Sequence, residues 1–358
     1  LNDLTIGGGW SVYDGLHFGT LPYLNIQFAP ERFRYYDNDA LKKEMNSYVK
    51  WERKLTKQFR SFIDLQYRYV SHQMNGFTKN TNLEIERKFN FFNPKMGLTY
   101  KAKNIFYYTS VAVANKEPNR DDFEASATEQ PRREQLIDWE TGFEFKKPKY
   151  AINANVYYMD YKDQLVLTGK INDVGAYTRI NVPKSYRAGI ELQLKYALNK
   201  KYNTSYSITF SQNKIEEFTE YIDDYDQFTL VAIQHKNTNI ALSPTLTTNR
   251  TFNWRPNDKL SFFWTTKYTS KQFLDNTQNK DRILDSYFIN DINAHWTILN
   301  KTKFTMLLQL YANNLLDVQY APNGYTYSYI YDRNLITSNN FYPMAGRNYW
   351  ISLKIDLK

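Results

Sequence analysis

The sequence runs to 358 residues, with 46 Lys and Arg against 37 Asp and Glu, no cysteine, and 31 Tyr, 23 Phe and 7 Trp. The missing cysteine excludes a disulfide framework and any thiolate metal site, and no run of about 18 apolar residues exists to cross a bilayer as a helix. So many aromatic residues in a chain of mean hydropathy −0.66 fit a lipid-facing β-barrel, in which only alternate residues must be apolar and aromatic rings gather at both interfaces.

Taken in chain order, the dominant pattern is alternation with period two. Ile63, Leu65, Tyr67 and Tyr69 oppose Asp64, Gln66 and Arg68. Trp139, Thr141, Phe143 and Phe145 oppose Asp138, Glu140 and Glu144. Ala188, Ile190, Leu192, Leu194 and Tyr196 oppose Gly189, Glu191, Gln193 and Lys195. Near Thr245–Trp254, Arg250 takes the same parity as Leu246 and Phe252, which calls for a bulge or a place near the interface. Phe288, Ile292, Ala294, Trp296 and Ile298 oppose Asp291, Asn293, His295 and Thr297, and the last segment sets Tyr349, Ile351, Leu353, Ile355 and Leu357 against Trp350, Ser352, Lys354 and Asp356. These segments predict about 14 strands, at residues 2–14, 42–55, 58–74, 82–101, 104–115, 135–146, 149–162, 185–198, 202–214, 241–254, 259–272, 285–299, 302–314 and 346–357.

The connections alternate in length. Short polar turns fall near Thr56–Gln58, Ala102–Asn104, Lys146–Lys149, Asn199–Lys201, Arg255–Asp258 and Asn300–Thr302. Long ones fall near Gly15–Leu41, Asn115–Glu134, Asp163–Ser185, Lys214–Ile240, Phe273–Asp285 and Asp317–Gly346. A transmembrane barrel has this asymmetry, with short turns in the periplasm and long loops outside. No linker divides the chain, so residues 1–358 read as part of one all-β barrel domain.

Catalysis has little support. The four histidines, His17, His72, His235 and His295, form no HExxH pattern and no Ser–His–acid frame, so the chain reads as no enzyme, with no metal site and no cofactor of its own. The acidic run from Glu216 to Asp226 lacks EF-hand spacing and reads as a solvated loop. The positive charges are scattered without a zinc-finger, helix-turn-helix or RNP motif, which argues against nucleic acid.

Six segments resemble the TonB-dependent outer-membrane receptor family. Tyr311-Ala-Asn-Asn-Leu-Leu-Asp-Val-Gln-Tyr320 is similar to its penultimate strand, and Phe341-Tyr-Pro-Met-Ala-Gly-Arg347 to its Tyr-Pro-x-x-Gly-Arg closing motif. Phe92-Asn-Pro-Lys-Met-Gly-Leu-Thr-Tyr100 resembles its Pro-x-x-Gly-Leu-x-Tyr strand. Asn115-Lys-Glu-Pro-Asn-Arg120, Trp139-Glu-Thr-Gly142 and Tyr186-Arg-Ala-Gly-Ile-Glu191 resemble the loop and strands that follow. The resemblance implies a barrel of about 22 strands around an N-terminal plug, so the plug and about eight early strands are expected outside this chain. It implies uptake across the outer membrane of a Gram-negative bacterium, driven by TonB–ExbB–ExbD through the missing N-terminal part. The cargo would be a ferric siderophore or other iron chelate; outer-membrane lipid, lipopolysaccharide and a surface lipoprotein are the further partners. A passive porin-like or structural barrel is the alternative.

On that reading Tyr325, Tyr327, Tyr329 and Tyr331, followed by Arg333, could line an outward cavity and stack on a flat chelate; a protruding strand pair that belongs to the aromatic girdle is the plainer reading. Arg132 and Arg133 could meet an anionic siderophore or a lipopolysaccharide phosphate. Glu140, Glu144, Glu191 and Lys195, on lumen parity, are expected to face the plug.

Overall fold

The computed structural model describes residues 2–21, 33–77, 82–125, 130–171 and 177–357. Parts of the connections expected at Gly15–Leu41, Asn115–Glu134 and Asp163–Ser185 lie outside the described residues. The elements are β1 (Asn2–Leu21), β2 (Phe33–Lys54), β3 (Phe59–Asn75), β4 (Glu84–Ala102), β5 (Ile105–Lys116), α1 (Arg120–Ala125), β6 (Glu134–Lys147), β7 (Tyr150–Ile171), β8 (Tyr177–Ala197), β9 (Tyr202–Asp224), β10 (Thr229–Asn239), β11 (Leu246–Asn257), β12 (Leu260–Thr269), β13 (Gln272–Phe273), β14 (Ile283–Leu284), β15 (Tyr287–Asn300), β16 (Phe304–Asn313), β17 (Asn323–Tyr331), β18 (Asn334–Tyr342) and β19 (Asn348–Leu357).

Fourteen of these, β1 to β9 with β11, β12, β15, β16 and β19, pair antiparallel in that order to make one wall. The expected strand number holds, but the expected ends do not. β1, β2, β7, β8 and β9 run on well past the ends read from sequence, always at the long-connection end. The connection expected at Lys214–Ile240 is largely the end of β9 and the returning β10, and Asp317–Gly346 holds the β17–β18 hairpin. These extensions stand beyond the hydrocarbon layer, where neither face has to be uniformly apolar, so the alternation that marks the wall fades there. Among the described residues β1 pairs only with β2 and β19 only with β16, leaving the wall open at two edges.

Register converts the alternation into two faces. Across β7, β8, β9 and β11 one row reads Val156, Ile190, Phe210, Leu246. Its neighbour on the other face reads Asn155, Glu191, Thr209, Thr247. The first face carries the exposed aromatics and aliphatics, among them Trp10, Trp139, Trp264, Trp296, Ile351 and Leu353. In hydrocarbon each such side chain recovers about 1.5–3 kcal/mol that exposure to water would forfeit. The second face is the lumen. Three of the motif glycines lie on it, and an aromatic ring crosses each: a Cβ on Gly97, Gly142 or Gly189 would run into the ring of Phe62, Tyr108 or Tyr157. Tyr108 also donates to Asn155 Oδ1 at 2.9 Å, bridging β5 to β7 across the row.

The buried apolar core is not in the wall but at its long-loop end. Ala40, Met74, Phe77, Ile85 and Phe123 form one cluster, and Val166, Val182, Ile215, Phe218 and Ile240 a second. The wall is a membrane protein and its crown is built like a soluble one.

Candidate ligand-binding mouth

The crown is tied together by the segment from Gln272 to Leu284, whose short β13–β14 pair lies against β7, β9, the β10–β11 connection and β17. Asn276, fully buried, accepts from the Ala241 amide at 2.8 Å and donates to the Leu167 carbonyl at 2.6 Å, joining elements far apart in the wall. Asp275 packs on Gly169, whose φ of +88° and crowded surroundings leave no room for a side chain. Arg282 is buried and donates to Glu220 at 2.5 Å and Asp275 at 2.7 Å. Burial opposes its charge, yet the two carboxylates raise its pKa above the usual arginine value. Glu220 also meets His235 at 3.0 Å. Leu274 and Leu284 lie beneath Gly324 of β17.

Two cavities open beside this strap. One, about 280 Å³, is lined by Thr168, Arg179, Glu220, Asp275, Arg282 and Tyr327. The other, about 290 Å³, is lined by Asp122, Gln130, Arg132, Arg179, Glu217 and Gln234. Both share Arg179, Ile180, Phe218, Thr219 and Tyr221, so they adjoin. Of the expected loop residues, Tyr327 and Arg132 therefore reach this mouth. Arg132 is held there by Asp163 at 2.9 Å, and its amide donates to Asn181 Oδ1 at 2.7 Å. Arg133 instead donates to the Asn90 carbonyl at 3.2 Å.

The tyrosines alternate on β17 as read from sequence. Thr326 and Ser328 are buried on the face that also presents Gly324 to the strap, and Tyr325, Tyr327, Tyr329 and Tyr331 take the opposite face. Tyr329 stacks on Tyr327 and meets Tyr225 of the neighbouring hairpin edge-on. Arg333 sits at the β17–β18 tip, where its amide and that of Asp332 donate to the two carboxylate oxygens of Asp226 at 2.7 and 2.9 Å. So the acidic loop read as solvated supplies two structural anchors, Asp226 and Glu220. Arg179, Arg282 and Asn276 were not singled out from sequence, and nothing local marks them. Most of their partners, Asp122, Leu167, Glu220 and Ala241, lie tens of residues away, and only Asp275 is near Arg282 in sequence.

Lower down, Glu140, Glu144, Glu191 and Lys195 occupy the lumen face of β6 and β8. None makes an ion pair or side-chain hydrogen bond with another described residue. Glu140 and Glu191 line a lumen cavity of about 350 Å³ with Tyr157, Arg187 and Ser243. Arg187 is held by Asn213 and Ser243, each at 3.1 Å. Near the β1 edge, Arg68 is clamped by Glu44 at 2.8 Å and Glu117 at 2.6 Å, and Lys42 meets Glu117 at 3.0 Å. Burial would raise the Glu117 pKa, but the hydrogen bonds from Arg68, its own backbone and Lys42 bring it down to about 2. Glu117 belongs to the Asn115–Arg120 motif, so that motif has a charge-pairing reason.

The family described as "TonB dependent receptor-like, beta-barrel" matches over residues 1–315. The chain belongs to that family. Its members are receptors of the outer membrane and not enzymes. Among solved receptors, the ferric-catecholate import receptor Fiu from E. coli K12 superposes with a TM-score of 0.67 at 14% identity, over 99% of this chain and 51% of that one. The siderophore receptor PiuA from Acinetobacter baumannii gives 0.69 at 15%, over 98% and 52%. The copper transporter OprC gives 0.71 at 14%, over 98% and 54%. This TonB-dependent receptor chain thus spans about half the length of the receptors it resembles. No curated protein matches it in sequence.

Of the two accommodations expected for Arg250, the bulge is absent. The residue faces lipid on parity with Tyr206 and Thr266, and neither ladder of β11 shifts register there; the shift comes between Trp254 and Asn257.

Proposed function

We propose that the chain forms the C-terminal part of the wall of an active importer whose cargo is a ferric siderophore or a similar bulky iron chelate. The rest of the barrel and a plug would come from sequence beyond this chain, in keeping with the half-length coverage and the two open edges. TonB–ExbB–ExbD would act through that part, because the outer membrane has no ATP of its own. The observation that carries the reading is the pair of adjoining cavities at the mouth. Arg132, Arg179 and Arg282 stand there among Asp122, Glu217, Glu220 and Asp275, with Tyr327 as an aromatic edge. Such a lining, guanidinium groups beside carboxylates and an aromatic ring, suits a bulky polar chelate too large to diffuse through a porin.

The unpaired Glu140, Glu144, Glu191 and Lys195 would face the plug, which must be held and still be displaceable. Tyr325, Tyr329, Tyr331, Arg133 and Arg333 would act at the rim, for the ligand, for lipopolysaccharide or for a surface lipoprotein. The test is growth of a deletion strain on defined iron sources, paired with binding of each chelate to the purified full-length receptor. Uptake of one chelate, weakened about tenfold by Arg132→Ala together with Tyr327→Ala, is expected. Steady ion conductance through an open lumen, with no chelate retained, would establish the passive barrel instead.

A further inference from the structure

Arg250 is a cation on the lipid-facing side of the wall. Its neighbours Thr247, Asn249 and Thr251 belong to the lumen: Thr247 lines the cavity with Glu140 and Glu191, and Thr251 meets Thr265 across the lumen face. The outward row that holds Arg250 reads Leu194, Tyr206, Arg250, Thr266. Its guanidinium carbon lies 5.2 Å from the centre of the Tyr206 ring, 5.6 Å from Trp264 and 6.0 Å from Phe252. Trp264 is itself fixed, donating from Nε1 to Asn290 Oδ1 at 3.0 Å. The Arg250 Nε is buried without an acceptor, and no carboxylate among the described residues pairs with the side chain.

The direction of the side chain sets the depth of its charge. Phe252 and Trp264 face each other across the ladder, one pleat nearer the short Asn257–Leu260 turn than Arg250 and Thr266. The guanidinium therefore leans toward the periplasmic end. The aromatic belt at that end is marked by Tyr202, Trp254 and Phe262, stacked at 6.5 and 5.1 Å. Arg250 stands four residues above Trp254, about 13 Å along the strand and about 10 Å in depth at the usual tilt. An arginine that snorkels downward from there spans about 6 Å of that depth, and local thinning of the bilayer brings the glycerol and phosphate level of the periplasmic leaflet up to its terminal nitrogens.

We infer that Arg250, flanked by Tyr206, Phe252 and Trp264, forms an outward-facing site for the phosphate of a glycerophospholipid in the periplasmic leaflet. The guanidinium donates to the phosphate oxygens in the two-pronged geometry that suits it. The three rings pack along the glycerol and upper acyl chains and hold the charge by cation–π attraction until the lipid arrives. Lipopolysaccharide fills the opposite leaflet and is not the ligand of this site.

Native mass spectrometry of the full-length receptor in mild detergent, doped with phosphatidylglycerol or with purified lipopolysaccharide, tests the assignment. Wild type should retain phosphatidylglycerol at least tenfold more tightly than Arg250→Gln, and lipopolysaccharide equally well. Heat-modifiable migration on a gel confirms that Arg250→Gln folds. Trp139→Leu, which removes a lipid-facing ring on a remote strand, should leave phosphatidylglycerol retention unchanged. Equal retention of phosphatidylglycerol by wild type and Arg250→Gln would overturn the proposal. So would a variant that loses lipopolysaccharide but keeps phosphatidylglycerol, or a matching loss in Trp139→Leu.

Discussion

The wall and the crown are made from the same strands but held by opposite means. In the wall, Ile190, Leu192 and Leu353 point outward and the lumen is polar, so lipid supplies the apolar environment and the backbone ladder does the rest. In the crown, Phe77, Ile215 and Leu274 are fully buried in protein, and charges such as Arg282 are buried with them. One region therefore answers to the parity of a residue, and the other to the particular partner it meets. That difference makes the two regions fail in different ways when changed.

The largest expected effect is in the crown. Arg282→Met leaves Asp275 and Glu220 facing each other without their shared cation, and loss of one member of a buried ionic group costs about 3–5 kcal/mol. Because the strap is local, hydrogen exchange should quicken over Gln272–Leu284 and the facing end of β9 while the wall's global unfolding stays put. If the wall melts with the strap, the two regions are one cooperative unit and the comparison breaks.

The next effect is in the wall, and turns on parity alone. Leu192→Arg places a charge on the lipid face near the middle of the membrane-crossing part of β8, residues 185–197, and should destabilise folding into bilayers by about 2–4 kcal/mol. Gln193→Arg, one residue on, faces the lumen and should move stability by less than about 0.5 kcal/mol. Equal losses at both positions, in denaturant titrations of the barrel refolded into vesicles, would sink the two-faced reading.

These contrasts explain what the sequence reveals and what it hides. Fourteen wall strands are legible because hydrocarbon favours apolar side chains at alternate positions, as in Ile63–Tyr69 and Tyr349–Leu357. The ends of β7, β8 and β9 are not legible, because above the membrane Ile215 and Phe218 break the period to join a cluster with Val166 and Val182. The tyrosines of β17 are legible as an alternating set, but their orientation depends on Thr326 and Ser328 packing toward the strap, which no local pattern announces. Arg132 can be picked out as an exposed arginine in a loop. Arg179 and Arg282 cannot, since their meaning lies in Asp122, Asp275 and Glu220, brought near only by the closed hairpins.

A smaller effect is expected from acid at the clamp around Arg68. The Glu117 carboxyl is held at about 2, against a usual 4.5. A depressed carboxylate stabilises the folded loop fully above its unfolded value and loses that contribution as pH falls toward its folded one. Protection of residues 116–120 from hydrogen exchange, corrected for intrinsic rates, should hold down to about pH 4.5 and decline from there to about pH 2. Glu117→Gln should abolish that decline.

The smallest effect belongs to Glu191, a lumen carboxylate that carries no ion pair of its own with a described residue. Glu191 is exposed on the lumen face and makes no ion pair with a described residue, so Glu191→Gln removes no partner and frees no buried group. Folding stability of this wall should change by less than about 0.5 kcal/mol, within the usual range for exposed sites. In the full-length receptor the same change reads something else. If the lumen carboxylates hold a plug, Glu191→Gln should loosen it and raise basal ion leak across planar bilayers without moving the unfolding midpoint. A shift in the midpoint with no change in leak would mean that Glu191 serves the wall, and that the polar face is structural after all.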